Sequence, residues 1–371
     1  MKKTTKPPAP GVERLGANRK RIDTIDRQLV ALLNRRAAVV HAIGEIKKAE
    51  GLEVVDPGRE EQVIARIERA NTGPFPNESL RSIYREIFAA SHQIEEPLTV
   101  AYFGPEATFT HQACRSVFGS AARTLPKPSI REVFRAVERD EAAYGVVPVE
   151  NSTEGVVNHT LDMFLESPLT IYAEVVLVVH HHLLSKSGRI GDIRCLYSHY
   201  QPIAQCSEWL HAHLPEIPVK DVASTSEAAR RAAADPAGAA IASRLAGELY
   251  GLRAVKREIE DRRDNVTRFI VVSRREHAPT GKDTTSILFS IKDRVGALHD
   301  ILLPFTRKGI NLTRIESRPS RRKAWDYVFF VDFDGHRTDP VVQGVITRAR
   351  QACSILKVLG SYPTNREAQE R

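Results

Sequence analysis

The chain has four cysteines in 371 residues, and Cys114, Cys195, Cys206 and Cys353 are scattered with no CxxC spacing. That scarcity argues against a disulfide framework and a cysteine-built zinc site, and it suits a reducing compartment. No apolar run approaches the length of a membrane span. The Lys- and Pro-rich start lacks the apolar middle of a secretion signal. The expectation is a cytoplasmic protein with no membrane partner. Charge of either sign is not lacking: 54 basic and 46 acidic residues leave a formal net charge of +8. The basic residues are spread along the chain, which favours a small acidic ligand over nucleic acid.

What the chain does have is length and a clear succession of patterns. At 371 residues it exceeds one ordinary core, so two or three domains are expected. Residues 1–13 and 364–371 read as tails, the first of them disordered. From Leu15 to about Ala49, Ile22, Ile25, Leu29, Leu32, Leu33, Val40 and Ile43 recur at three- and four-residue steps and form one apolar helical stripe. Arg36 and Lys47 fall on that stripe. Cations on an apolar face are costly unless anions meet them. A salt bridge to a partner helix is the ordinary explanation, and a bound dicarboxylate is the sharper one. Asp56-Pro57 reads as an N-cap and first position of a second helix, with Glu60 one turn on. A third helix over Asn77 to Glu95 puts Leu80, Tyr84, Ile87, Phe88, Ser91 and Glu95 on one inner face. Three such helices cannot close a core alone, so an interlocked homodimer or higher oligomer is expected.

From Leu98 to about Ser273, short apolar runs alternate with helical patterns, as in α/β lobes. Strands are expected at Leu98–Phe103, Ala143–Val149, Ile171–Val179, Ala239–Ile241 and Phe269–Val272. Helices are expected at Ile130–Glu138, Ile203–His213 and Ser226–Ala234. Two lobes around a cleft follow, with the chain crossing near His180 and returning near Ile259. Gly145 to Thr160 reads GVVPVENSTEGVVNHT. An apolar strand here runs into hydroxyls, an amide and a glycine before a helix. It is an ordinary capping loop or an anion cradle of backbone N–H groups. His180-His181-His182 would alternate faces on a strand, so the three do not converge on a metal.

That loop resembles the hallmark loop of the prephenate dehydratase family. YFGPEATFTHQA (Tyr102–Ala113), YSHYQPIAQC (Tyr197–Cys206) and Thr267-Arg268-Phe269 match in the same order. The N-terminal helices resemble the all-helical chorismate mutases. After the linker, GALH (Gly296–His299) and ESRP (Glu316–Pro319) match the phenylalanine-binding motifs of the ACT module, whose βαββαβ order fits Thr284 to Tyr362. The whole is similar to the bifunctional chorismate mutase/prephenate dehydratases. The resemblance implies a mutase domain over 14–96 and a two-lobed, periplasmic-binding-protein-like dehydratase over 98–274. It implies a linker over 275–283 and an ACT domain over 284–363.

The implied substrates are chorismate and prephenate, with L-phenylalanine as feedback effector and neither cofactor nor metal. In the mutase the resemblance points to Arg19, Arg36, Lys47, Asp56, Glu60, Ser91 and Glu95. Guanidinium forks suit the two carboxylates of chorismate. Lys47 and Glu95 suit the ether oxygen, and Asp56 and Glu60 the hydroxyl. Arg19 is expected to reach the partner subunit's site. The reaction is unimolecular, so holding the compact conformer and stabilising developing charge must supply about 8 kcal/mol or more. Some relatives carry Gln where this chain has Glu95. An ionised glutamate only accepts hydrogen bonds. A donor role therefore implies mutase activity that fades towards alkaline pH, flattened in Glu95→Gln.

In the dehydratase it points to Asn151, Ser198, Gln205 and Thr267, with Thr267 the donor to the leaving hydroxyl and Glu150 tuning it. Ser152, Thr153, Arg268 and the amides after Thr108 are candidates for carboxylate binding. Ala107 stands where relatives commonly have Gly, Tyr200 where many have Pro, and Val295 where a proline is usual. Gly296, Ala297, Leu298, His299, Glu316, Ser317, Arg318 and Pro319 are the candidate effector site. A solute-capturing protein without chemistry is a rival that leaves Arg36 and Lys47 unexplained. An aromatic-sensing DNA-binding regulator is another, but the first helix is too long and apolar for a helix-turn-helix.

Overall fold

A computed structural model describes residues 10–50, 57–95, 98–291, 294–319 and 327–364. Three helices come first: α1 (Pro10–Glu50), α2 (Pro57–Ala70) and α3 (Asn77–Glu95). Among the described residues, only a short part of α1 finds cover. Val40 and Gly44 are buried, and Arg36, Ala37 and Lys47 are half-buried against α3. Gly44 permits this approach, since a Cβ there would lie 3.1 Å from the Glu95 Cα. The apolar residues Leu15, Ile22, Ile25, Leu29, Val30, Leu32, Leu33, Val39, Ile43 and Ile46 remain exposed. The expected stripe is therefore present in α1 and, apart from Val40, is left uncovered by the described residues of the same chain. The expected N-cap Asp56 and both tails except residues 10–13 and 364 lie outside the described residues.

The first lobe takes β1 (Thr99–Phe103), α4 (Phe109–Phe118), β2 (Arg123–Lys127), α5 (Ile130–Glu138), β3 (Tyr144–Asn151), β4 (Gly155–Val156), α6 (Asn158–Glu166) and β5 (Thr170–Val178). The second lobe takes β6 (His182–Ser185), β7 (Cys195–Ser198), α7 (Tyr200–Gln205), α8 (Ser207–His213), β8 (Val219–Asp221), α9 (Thr225–Ala234), β9 (Gly238–Ala242), α10 (Arg244–Tyr250) and β10 (Arg253–Lys256). Then β11 (Val266–Ser273) returns to the first sheet and inserts between β3 and β5, giving the order β2-β1-β3-β11-β5 with β4 on β3. The second sheet runs β10-β6-β9-β7-β8. The chain thus crosses twice between lobes, and the crossings bond to each other: Ile259 N donates to the His181 carbonyl at 2.9 Å.

One expected helix is two. Over Ile203–His213 the chain breaks at Cys206 into α7 and α8. The cause is Asp261, whose carboxylate accepts from Glu208 N and Trp209 N at 3.1 and 3.2 Å and so caps a fresh helix start. The Asp261 amide meanwhile donates to the Gln205 carbonyl at 2.8 Å, which closes the first helix.

The last module is β12 (Asp283–Ile291), α11 (Ala297–Arg307), β13 (Leu312–Pro319), β14 (Tyr327–Asp334), α12 (Pro340–Ala352) and β15 (Cys353–Pro363). Its antiparallel sheet runs β13-β14-β12-β15, in βαββαβ order. It shares a core with the first lobe, where Leu288, Val328, Phe330, Leu359 and Tyr362 join Phe164, Leu169 and Ile171. Two glycines set the docking distances between modules. At Gly360 a Cβ would lie 2.2 Å from the Ile171 carbonyl oxygen, and at Gly119 one would lie 2.0 Å from the Ala89 Cβ of α3.

Candidate active sites

The helical module gathers several of its expected site residues between α1 and α3. Lys47 Nζ lies 3.1 Å from Glu95 Oε2, and the Glu95 side chain is almost wholly buried. The Arg36 guanidinium donates to Ser91 Oγ and lies 5.5 Å from the centre of the Phe88 ring. Glu60 of α2 accepts from His92 Nε2 at 2.7 Å. The outcome for the two cations on the stripe is therefore divided. Lys47 faces an acid, whereas Arg36 faces a hydroxyl and an aromatic ring. Arg19 is exposed on α1, away from this group.

In the dehydratase lobes, β3 and β11 pair antiparallel with Asn151 opposite Thr267 and Glu150 opposite Arg268. Directly opposed residues share a face, and neighbours along a strand do not. Asn151 and Thr267 accordingly face one side, Glu150 and Arg268 the other. On the first side Asn151 Nδ2 donates to Thr267 Oγ1 at 2.7 Å and to Asn265 Oδ1 at 2.8 Å. Asn265 Nδ2 donates to Gln205 Oε1 at 3.1 Å, and His181 Nε2 lies 2.8 Å from the same oxygen. This string joins strands of the first lobe, a helix of the second and both crossings. Asn151, Thr267 and Gln205 are half-buried at its rim, with Asn265 and His181 buried beneath.

Asn265, His181 and Glu260 were not singled out by the motifs. Asn265 stands two residues before Thr267, so strand periodicity alone puts it on the same face. Glu260 receives the His181 amide at 2.9 Å and lies 2.7 Å from His180 Nδ1. Burial alone would raise the Glu260 pKa, but these hydrogen bonds outweigh it and hold the carboxyl below its ordinary value. Burial lowers the pKa of His181 against the opposing pull of Gln205 and Glu260, which favours the neutral ring. Among the described residues no cluster of three His, Cys, Asp or Glu is placed to hold a metal.

Other expected residues take different places. Residues 151–155 form the turn of the β3–β4 hairpin, and α6 starts only at Asn158. The turn's amides are engaged: Thr153 N and Glu154 N donate to Asn151 Oδ1 at 2.9 and 3.0 Å, and Ser152 N to the Val266 carbonyl at 2.8 Å. The turn is therefore not a free anion cradle at a helix start. Ser152 Oγ accepts from Val266 N and donates to the Asp264 carbonyl, closing the turn. Thr153 is exposed. Ser198 is fully buried at the end of β7, its hydroxyl donating to the His199 carbonyl at 3.0 Å. Thr108 caps α4 by accepting from His111 N at 3.3 Å.

Arg268 does not stand with Thr267. Its guanidinium donates to Glu174 Oε1 at 2.7 Å, to Asp332 Oδ2 at 2.8 Å and to Tyr362 at 3.1 Å, which ties the first lobe to the last module. Burial works against its charge, but Asp332, Tyr362 and Glu174 outweigh it and raise the pKa well above the ordinary value. Glu150 pairs with Arg314 of β13 on the same side. A cavity of about 580 Å³ lies here, lined by Glu150, Glu174, Arg268, Arg314, Glu316 and Asp332 among others.

The two effector motifs sit in the last module. Gly296 opens α11 with φ +77°, a left-handed conformation that favours glycine. Gly296 and His299 are exposed, Leu298 half-buried and Ala297 buried. Along β13 burial alternates. Ser317 and Pro319 point out, while Arg318 is buried with its guanidinium 3.1 Å from Asp162 of α6.

The chain matches three family models: chorismate mutase type II over residues 18–96, prephenate dehydratase over 100–277 and the ACT domain over 285–350. A bifunctional chorismate mutase/prephenate dehydratase of Aquifex aeolicus is 48% identical, covering 95% of this chain and 98% of that one. The chain belongs to the bifunctional chorismate mutase/prephenate dehydratase family. A second bifunctional chorismate mutase/prephenate dehydratase, from Pseudomonas aeruginosa, is 44% identical over the same shares of both chains. Among solved structures, a prephenate dehydratase of Arthrobacter aurescens in complex with L-Phe superposes with a TM-score of 0.66 at 35% identity. It covers 72% of this chain and 90% of its own. This bifunctional enzyme rearranges chorismate to prephenate, then converts prephenate to phenylpyruvate.

Proposed function

We propose that the two reactions run on the two side-chain groups just described, and that the last module lets L-phenylalanine restrain the second reaction. For the mutase, Arg36 and the partner subunit's Arg19 grip the carboxylates of chorismate. Lys47 and Glu95 meet the ether oxygen as its C–O bond breaks. Asp56, Glu60 and Ser91 orient the ring hydroxyl and the cations. The exposed apolar length of α1 supports a dimer in which the helices of two chains interlock, since so much apolar surface on one helix is costly in water. The assigned extents are 14–96, 98–274 and 284–363. A cytoplasmic setting accords with the reduced, scattered cysteines.

For the dehydratase, the carrying observation is the 2.7 Å bond from Asn151 to Thr267 where the two lobes meet. As prephenate decarboxylates, the electron pair of the C–CO₂⁻ bond moves into the ring and expels the ring hydroxyl. That group needs a hydrogen-bond donor and ultimately a proton to leave as water. Thr267 donates to it. A threonine hydroxyl is a poor acid, so it stabilises the departing oxygen and the net proton comes from solvent. Gln205 holds substrate from the second lobe, while the buried Ser198 shapes the end of β7 behind it.

For regulation, the alternation along β13 supports a two-sided strand. Ser317 and Pro319, with Gly296 at the start of α11, face an effector bound between paired modules. Arg314 and Arg318 grip the dehydratase lobe at Glu150 and Asp162. A ligand that favours one pairing of the modules thereby shifts the lobe carrying Asn151. Following chorismate loss and phenylpyruvate formation separately, with and without millimolar phenylalanine, tests all three parts. Absence of either reaction, or indifference to phenylalanine, refutes the corresponding part.

A further inference from the structure

The hydrogen bonds around Thr267 have a direction that one fixed point determines. Backbone N–H groups only donate, and those of Thr153 and Glu154 donate to Asn151 Oδ1. The Asn151 amide therefore cannot be turned round. Its Nδ2 carries two hydrogens. They serve Asn265 Oδ1 and Thr267 Oγ1 at 2.8 and 2.7 Å, with a longer contact of 3.4 Å to the Val266 carbonyl. With its oxygen so engaged, Asn265 presents its nitrogen to Gln205, and Gln205 Oε1 accepts. The same oxygen accepts from His181, so the one proton of that neutral ring sits on Nε2. His181 Nδ1 is buried with no hydrogen-bond partner among the described residues, as an unprotonated nitrogen tolerates better than an N–H would. At the other end, Thr267 Oγ1 is an acceptor from Asn151, which leaves its own hydrogen for a ligand.

We propose that Asn265 and His181 are positioning residues of the dehydratase. The turn sets the polarity at Asn151; Asn265 takes up the second Asn151 hydrogen and is itself held through Gln205 and His181, so the amide stays aimed at Thr267 and Thr267 meets prephenate as a donor. The proposal rests on Thr267 being the donor and adds the groups that hold its partner in place.

The test compares dehydratase kcat and KM in the full chain, with the mutase rate as internal control. Asn265→Ala leaves one Asn151 hydrogen without its partner and the Gln205 oxygen with His181 alone. A fall of about tenfold or more in kcat is expected, with KM nearly constant and the mutase rate unchanged. Asn265→Asp still accepts from Asn151 and recovers most of that loss. A carboxylate cannot donate to Gln205, however, so Gln205 must turn its nitrogen towards it. The same nitrogen then faces His181 Nε2, which has to accept, and the ring proton moves to Nδ1. Ring nitrogen NMR shifts of His181 report the exchange, and a merely structural role for Asn265 would not produce it. Wild-type kcat in Asn265→Ala, or an unmoved His181 proton in Asn265→Asp, overturns the proposal. Should Asn265→Ala not fold, the His181 proton alone decides. Wild-type kcat in Thr267→Ala would instead refute the donor role beneath it, so the two failures are distinguishable.

Discussion

Arg268 and Asp332 meet at 2.8 Å across the boundary between the dehydratase and the last module, while the next residue, Thr267, faces the opposite side of the same sheet. One strand thus carries the proposed dehydratase group on one face and the domain junction on the other. Removing one partner of a buried ion pair leaves a buried charge unmet and costs about 3–5 kcal/mol. Arg268→Met is therefore expected to lower stability by about that much. It should also weaken phenylalanine inhibition more than it weakens basal turnover. Denaturant midpoints and inhibition curves measure the two effects, and unchanged inhibition would remove this contact from the regulatory route.

Acid should destabilise the fold through His111. Its Nδ1 accepts from the Ala107 amide at 3.1 Å and its ring stacks on Tyr102. Burial, helped by Arg115, lowers its pKa from the ordinary 6.5 to about 4. Between those values the unfolded chain binds more protons than the folded one. This contribution is fully present above the unfolded value and is lost as pH falls towards the folded one. Urea midpoints over that range should drop with acid. His111→Asn keeps an acceptor but cannot titrate, and should flatten the slope.

The exposed face of α1 should matter to the mutase alone. Ile25→Glu combined with Leu29→Glu places charge in the apolar stripe without touching Lys47, Glu95 or the lobes. Mutase activity is expected to fall by about tenfold or more, because the partner subunit's Arg19 no longer reaches the site. Dehydratase turnover should persist. Full mutase activity in this variant would show that the stripe is not an interface.

Ala107 occupies a left-handed backbone conformation, φ +66°, where the family resemblance leads one to expect glycine. An L-residue there carries strain of about 1 kcal/mol. Ala107→Gly should raise stability by up to about that amount despite the freer unfolded chain. A thermal melt measures it.

Much of this was legible in the chain. The helix Ile130–Glu138 and the βαββαβ order follow from periodicity and turn residues, which are local. The crossings near His180 and Ile259 were legible because an apolar strand pattern stops and resumes there. What sequence concealed was long-range. Asp261 splits a helix by capping Trp209, 52 residues before it in the chain, and no pattern within that helix announces it. Arg268 beside Thr267 reads as a second ligand for one substrate, yet strand alternation separates them, and only the docked module shows what Arg268 meets. The same alternation would have placed Asn265 beside Thr267. His181 differs from the half-exposed His180 in the burial that tertiary packing alone confers.

The account turns on the pairing of Asn151 with Thr267 where the lobes meet. Supplying chorismate to Thr267→Ala and following both products tests it most directly. The prediction is undiminished conversion of chorismate, accumulating prephenate, and phenylpyruvate formation reduced by about a hundredfold or more. Phenylpyruvate appearing at the wild-type rate would contradict it.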